Sequence, residues 1–546
     1  MIFDDMFDTN RWVLPLVLSE QADATPDKPF VVMAEGGALT YKQANDQAQQ
    51  VAGYLRDMGV QPGDRVIVMV PTSFDFIRLW LGVARLGATM VALNTELNGT
   101  ILESQVRRSL ATVAIVSSRC LPVFTSAITE YGEGNCQVDT LITVGDHSTE
   151  SMIHSGVLPQ SITFDAWRDA SYYEGSFPTY KDIASILYTS GTTGPSKGVL
   201  LPHAHCYLYG LGAVENCFMS SDDVNYVVLP LNHVNGLFMQ VYSCLIAGAT
   251  VVLRERFSAT NWLKDVIEHG CTMTCVVGAI TAFLFAQAPR AEEQAHKLRL
   301  VMTGPNLAAH EKVWRERFAM PEVMSCYGMT ECNMVTWDRV GETRPNSVGR
   351  VYEKYFDVRV VDPETDRPVP VRATGEIVVR PKEPFAFMAG YDQMPEKSVE
   401  ASRNYWFHTG DSGFIDEDGY LFFLDRVKDR IRRRGENISS FEVEQAILTL
   451  PCVKEVAAFA VPSGLEGGED EIMISAVLCD PAAIPIESFA SQVNDTLPRF
   501  ARPRYIHLVD DLPKTKTHKL RKGVLRDQGL TRDTWDCVHS NYVEVC

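Results

Sequence analysis

Two spacings of apolar residues alternate along residues 31–95. Apolar runs such as Arg65 to Val70 and Met90 to Leu93 predict buried strands, whereas helical spacing between Tyr41 and Leu55 predicts a helix. Gln61-Pro62-Gly63-Asp64 marks the turn from that helix into the first of these strands, and Gly87-Ala88 precedes the second. The alternation returns at 226–252 and 271–301, so the N-terminal part reads as α/β. Val234 to Leu253 carries no charge over a membrane-spanning length, but Asn235, Gly236, Gln240, Ser243 and Gly248 interrupt it. A buried helix followed by a strand ending at Arg254 is the reading this supports.

Around 350–425 the helical spacing fades. Val358 to Val361, Gly375 to Val379 and Tyr420 to Leu424 predict short strands, the last after the turn Asp416-Glu417-Asp418-Gly419. Past Arg426 a charged connector leads to a helix near 440–449 and strands at Val456–Val461 and Glu471–Leu478. The expected architecture is a large N-terminal α/β domain, 1–425, with mixed and parallel sheets, flanking helices and a β-rich end. A hinge at 426–429 and a small mobile α+β C-terminal domain, 430–546, complete it.

Composition narrows the class. A chain of 546 residues exceeds a single core, and 46% hydrophobic residues can fill more than one. A net charge of −19 argues against general nucleic-acid binding. The 13 cysteines form no CxxC or metal-like pattern, and the start of the chain lacks a signal-peptide profile. A reduced, cytoplasmic protein without stable membrane insertion is expected.

The segment Ile186-Leu187-Tyr188-Thr189-Ser190-Gly191-Thr192-Thr193-Gly194-Pro195-Ser196-Lys197-Gly198 carries the strongest chemical signal. An apolar strand runs into a loop of glycines, hydroxyls and one lysine, which supplies close backbone N–H groups, donors and a positive charge to a polyphosphate. The Walker A spacing is absent. Composition alone favours an ordinary surface loop. The loop resembles the signature of the adenylate-forming (AMP-binding) superfamily, which includes acyl- and aryl-CoA synthetases, peptide-synthetase adenylation domains and firefly-type luciferases. Tyr327-Gly328-Met329-Thr330-Glu331, His408-Thr409-Gly410-Asp411, Asp425-Arg426-Val427-Lys428-Asp429, Gly435-Glu436-Asn437 and Leu512-Pro513-Lys514-Thr515 with Lys519 resemble its other motifs, in order. Within the superfamily the chain is most similar to the crotonobetaine/carnitine-CoA ligase and medium-chain acyl-CoA synthetase branch.

The resemblance implies ATP-dependent conversion of a carboxylic acid to an acyl-adenylate with release of pyrophosphate, then thioester formation with coenzyme A and release of AMP. It implies that Thr189, Ser190, Gly191, Thr192, Thr193, Gly194 and Lys197 hold the β- and γ-phosphates and that Thr330 meets the α-phosphate. Glu331 would bind Mg2+, Asp411 the ribose hydroxyls, and Gly304, Tyr327 and Arg426 the rest of the nucleotide. For Asp411, a turn cap after Gly410 is the plain structural alternative. Lys519 would be the adenylating lysine, although His518 stands where the family usually has glycine. Lys428 falls at the family's hinge. Lys514, Lys516 and Lys522 read as solvated charges. Gly435, Glu436 and Arg433 are placed toward coenzyme A, and the arginine run 430–434 is equally well a solvated face.

For the acyl pocket the resemblance points to His233, Val234, Gly278, Ala279, Cys326 and Met334, with Asn232 departing from the aromatic residue usual before that histidine. Gly278, Ala279 and Gly304 leave room for a chain or ring or else ease packing. Cys326 reads as a pocket wall, since no basic partner is evident. Trp337 and Asp338 are the nearest aromatic and acidic residues for a trimethylammonium group. The alternatives are an enzyme that loads a separate carrier-protein thiol, and a noncatalytic nucleotide-binding relative. A homodimer is compatible with the sequence.

Overall fold

The computed structural model describes residues 8–129, 137–145, 161–189, 196–304, 306–426, 431–433, 436–438, 440–462, 470–480, 484–497, 501–514 and 520–543. Two large sheets dominate the N-terminal part. One orders the strands Gly390–Tyr391, Lys197–Pro202, Ile183–Thr189, Thr89–Ala92, Arg65–Met69, Val113–Ser117, Thr140–Val144 and Ser161–Thr163. From Ile183–Thr189 to Ser161–Thr163 all neighbours are parallel. Lys197–Pro202 and Gly390–Tyr391 add antiparallel at one edge. The second sheet orders Glu322–Met324, Leu300–Gly304, Met273–Val277, Val224–Val227, Thr250–Leu253, Pro29–Met33 and Ala38–Thr40, parallel except for the last pair.

The parallel strands are continuous apolar runs because helices cover both faces. Their side chains accordingly vanish from the surface: Val66, Ile67, Val68 and Met69 are each 0% exposed. The helices Tyr41–Asp57 and Phe74–Leu86 start where side chains cap them. Thr40 and Gln43 form a reciprocal capping box, and the Ser73 hydroxyl accepts from the Phe76 N–H.

Two smaller antiparallel sheets follow, Cys326–Met329 with Asn333–Trp337 and Arg350–Val351, then Phe356–Val361, Gly375–Pro381, Phe407–Ile415 and Leu421–Arg426. One large core runs from Trp12 to Leu421, and a second lies between Ile67 and Ile186. Separate cores hold the later residues, one from Ile431 to Trp535 and one from Ala457 to Leu525. These C-terminal cores pack around the strands Val453–Pro462, Asp470–Leu478, Tyr505–Leu508, Thr534–Asp536 and Asn541–Tyr542.

The charge-free stretch is a buried helix and then the strand Thr250–Leu253, but its first turns, Asn235–Tyr242, are π-helical before Ser243–Ala247 becomes α. Among the described residues no helix is long and apolar enough to cross a membrane.

Candidate nucleotide and acyl site

Lys197 opens the strand that follows the glycine loop, and its carbonyl accepts from the Thr189 hydroxyl at 3.5 Å. Ser190, Gly191, Thr192, Thr193 and Gly194 lie outside the described residues. The Lys197 ammonium stands 4.3 Å from the centre of the Tyr391 ring. Tyr391 is buried, and its hydroxyl donates to Glu331 Oε1 at 3.0 Å. The next residue, Asp392, is gripped by Arg65 through two bonds of 2.8 and 3.0 Å, and its N–H donates to the Gly198 carbonyl at 2.7 Å.

Tyr327, Thr330 and Glu331 come from one hairpin, between the strands Cys326–Met329 and Asn333–Trp337. The helix His203–Asn216 anchors its turn. Tyr209 donates to the Met329 carbonyl, and the Asn333 amide donates to the His205 carbonyl at 2.9 Å. The buried ring of His205 lies between the Thr330 carbonyl, 3.0 Å from Nε2, and the Ala386 carbonyl, 2.8 Å from Nδ1. Burial pulls its pKa down to about 4, so the neutral ring donates to one carbonyl and abuts the other.

The same hairpin reaches Asp411. Tyr327 Oη donates to Asp411 Oδ2 at 2.7 Å, and burial followed by the Asp411 charge pushes the phenol pKa well up, so it stays a donor. Asp411 is not a turn cap: it lies within the strand Phe407–Ile415, opposite Arg426 in register. Gly410 takes φ of 70° to turn the chain there, and its N–H donates to Glu376 at 3.1 Å. The side chain of Arg426 lies outside the described residues.

Around the expected acyl pocket, His233 and Val234 are half-buried at the entry to the π-helical turns, and the His233 carbonyl accepts from the Leu237 N–H at 3.0 Å. Asn235 bridges Gln240, whose amide donates to it at 2.8 Å, and Cys275, 3.7 Å away. Val277 and Gly304 are register partners at the carboxyl ends of parallel strands, where α/β sheets bind ligands, and Gly278 follows. A Cβ built on Gly304 meets nothing within 4 Å, so packing does not require glycine there. Cys326 Sγ lies 4.0 Å from Met239 Sδ, and burial pushes its thiol well above the ordinary range, as suits a wall and not a nucleophile. Met334, the register partner of Gly328, is buried, and the Ala279 side chain is outside the described residues.

Trp337 and Asp338 are both tied into the hairpin. A Cβ on Gly212 would come within 2.8 Å of the Trp337 ring, and the indole donates to the Met334 carbonyl at 3.2 Å. Asp338 accepts from the Ser325 N–H at 2.9 Å, and burial raises its pKa to about 7.

Of the C-terminal candidates, Lys428, Gly435, Lys516 and Lys519 lie outside the described residues. Arg433 and Glu436 are register partners in a short hairpin whose side chains are likewise not described. Lys514 and Lys522 are less solvated than expected, pairing with Glu455 at 2.6 Å and Glu444 at 2.8 Å.

Among the described residues no three His, Cys, Asp or Glu side chains gather as a metal cage. Glu331 offers a single carboxylate whose Oε1 is held by Tyr391, a donor set that fits a hard cation drawing its other ligands from water and phosphate. Sequence reasoning missed Tyr391 and His205. A strand of two residues leaves no periodic signal, and a buried histidine is indistinguishable by spacing from a core residue.

Residues 18–391 match the AMP-binding enzyme family, and residues 442–519 match the AMP-binding enzyme C-terminal domain. The chain is 29% identical over 493 residues to the crotonobetaine/carnitine–CoA ligase of Salmonella paratyphi A, covering 89% of this chain and 93% of that one. It is 28% identical to mouse long-chain fatty acid transport protein 1 over 544 residues, 95% of this chain and 82% of the other. Among solved structures, ATP-bound MatB from Rhodopseudomonas palustris superposes with a TM-score of 0.82 at 28% identity, over 95% of this chain and 98% of that one. With residues 18–391, most of its length, matched by the family, the chain belongs to the AMP-binding enzymes.

Proposed function

We propose that the protein activates a carboxylic acid with ATP, giving an acyl-adenylate and pyrophosphate, and then transfers the acyl group to coenzyme A with release of AMP. The observation that carries this is the continuous path Lys197, Tyr391, Glu331 and, through the same hairpin, Tyr327 to Asp411. That path sets a cation and a carboxylate at one end and a ribose-type carboxylate at the other, the layout a mononucleoside triphosphate needs. Both reactants are anions, so the work of the site is to hold charge and geometry.

In this reading the loop from Thr189 to Gly194 and Lys197 bind the β- and γ-phosphates, and Thr330 meets the α-phosphate. Glu331 binds Mg2+, which when bound offsets phosphate charge. Asp411, Gly304, Tyr327 and Arg426 take the nucleoside, and Lys519 supplies the charge for adenylation. The chain would divide at 426–429, with Lys428 the hinge, and Gly435, Glu436 and Arg433 would face coenzyme A. A cytoplasmic setting belongs to the same reading. The pocket side chains His233, Val234, Asn235, Met239, Gln240, Cys275, Cys326 and Met334 include no carboxylate, lysine or arginine. This supports an uncharged aliphatic or aromatic acyl group, although the named relatives are dissimilar in substrate.

Pyrophosphate release should be measured with ATP and a panel of short, medium, aromatic and betaine-type acids, followed by AMP release on adding coenzyme A. Neutral aliphatic or aromatic acids are expected to lead. Absence of acid-dependent pyrophosphate from the whole panel would sink the proposal. A betaine-type acid in first place would sink the uncharged pocket alone, and acid-dependent pyrophosphate without coenzyme A-dependent AMP would favour a carrier-protein acceptor.

A further inference from the structure

Lys197 and Glu331 carry opposite charges and meet one aromatic ring, the ammonium over its face and the carboxylate at its hydroxyl, and no described contact joins them directly. Left to themselves, a flexible lysine and a carboxylate this near would close into an ion pair, and each would then have to be separated before it could hold a phosphate or a cation. Tyr391 engages both groups. Its face attracts the ammonium without neutralising it, and its hydroxyl satisfies one carboxylate oxygen. The hydrogen bond to the carboxylate also enriches the ring, which strengthens its hold on the cation.

The backbone that carries the ring is pinned, and the ring itself is buried. Tyr391 pairs with Val199 in the two-residue strand, and its N–H donates to Ser398 Oγ at 2.8 Å. Asp392 is fixed to Arg65 and to the Gly198 carbonyl, on the same strand as Lys197. Ring, lysine and carboxylate are therefore held by three separate elements.

We infer that Tyr391 is a positioning residue that keeps the Lys197 ammonium and the Glu331 carboxylate apart, so that one can grip the terminal phosphates and the other the cation they bring. This rests on the nucleotide reading above.

Equilibrium binding of ATP to the full chain, by titration calorimetry with and without Mg2+, tests it in Tyr391→Phe and Tyr391→Leu, with thermal midpoints as the check on folding. The phenylalanine variant keeps the ring and loses the hydroxyl. Its affinity without Mg2+ should stay within about two-fold of wild type, while the gain on adding Mg2+ shrinks at least about three-fold. The leucine variant, free to form the ion pair, should bind ATP about ten-fold more weakly in both conditions. If the leucine variant does not fold, the isosteric phenylalanine variant decides the matter by its Mg2+ dependence. Equal losses for phenylalanine with and without Mg2+, or wild-type binding in both variants, overturn the inference while leaving the nucleotide reading intact. A wild-type protein that binds no ATP overturns that reading and this one with it.

Discussion

Asp338 is a carboxyl group with 0% exposure, and burial lifts its pKa from 3.8 to about 7. Below pH 3.8 folded and unfolded chains are both protonated there. Between 3.8 and 7 only the unfolded chain gives up its proton, so the native state loses stability as pH rises through that window, by about 4 kcal/mol in all. Asp338→Asn keeps an acceptor for the Ser325 N–H and removes the ionisation. Its thermal midpoint should gain on wild type as pH is raised from 5.5 to 8, and parallel midpoints across that range would contradict the assignment. The acid was legible in the sequence, but its environment was not, because the hairpin and the segment at Ser325 that bury it come together only in the fold. Tyr327, Glu331 and Asp411 were legible because they sit inside contiguous motifs. Tyr391 was not, because its partners lie 60 residues away at Glu331 and farther still at Lys197.

Elements divide in the same way. Strands buried on both faces announce themselves as apolar runs, and those at Arg65–Met69 and Thr89–Ala92 lie within a residue of their expected places. The π-helical turns at Asn235–Tyr242 did not, since residues spaced for a helix do not say which carbonyl each N–H will choose. Two glycines that look alike in sequence have unlike duties. At Gly349 φ is 85° and an added Cβ would fall 1.9 Å from the Trp337 carbonyl carbon, whereas at Gly410 φ is 70° and the space is open. Gly410→Ala should cost about 1 kcal/mol, the price of a left-handed alanine. Gly349→Ala must also displace a strand and should cost more than about 3 kcal/mol, or leave the protein insoluble. Thermal midpoints of the two variants that fell by the same amount would refute this contrast.

At the scale of the whole molecule, the helix His203–Asn216 contributes to acid sensitivity. Burial lowers His203 and His205 from 6.5 to about 4 each. Below pH 6.5 the unfolded chain takes up protons that the native state refuses until about pH 4, so stability falls as pH falls through that window, by about 3 kcal/mol per histidine. Replacing His203 by Gln should flatten the decline of the thermal midpoint between pH 6.5 and 4.5, even if it lowers the midpoint at pH 7. An unchanged slope would assign acid sensitivity elsewhere. The same molecule must also be assembled in time. Arg65 meets Asp392 across 327 positions of chain, and Gly390–Tyr391 closes the open edge of the strand Lys197–Pro202. At about 5–20 residues per second a ribosome needs about ten to forty seconds after Pro202 to deliver that edge strand. Until then a nascent chain presents a bare hydrogen-bonding edge to its neighbours on the polysome, a point at which chaperone capture competes with mispairing.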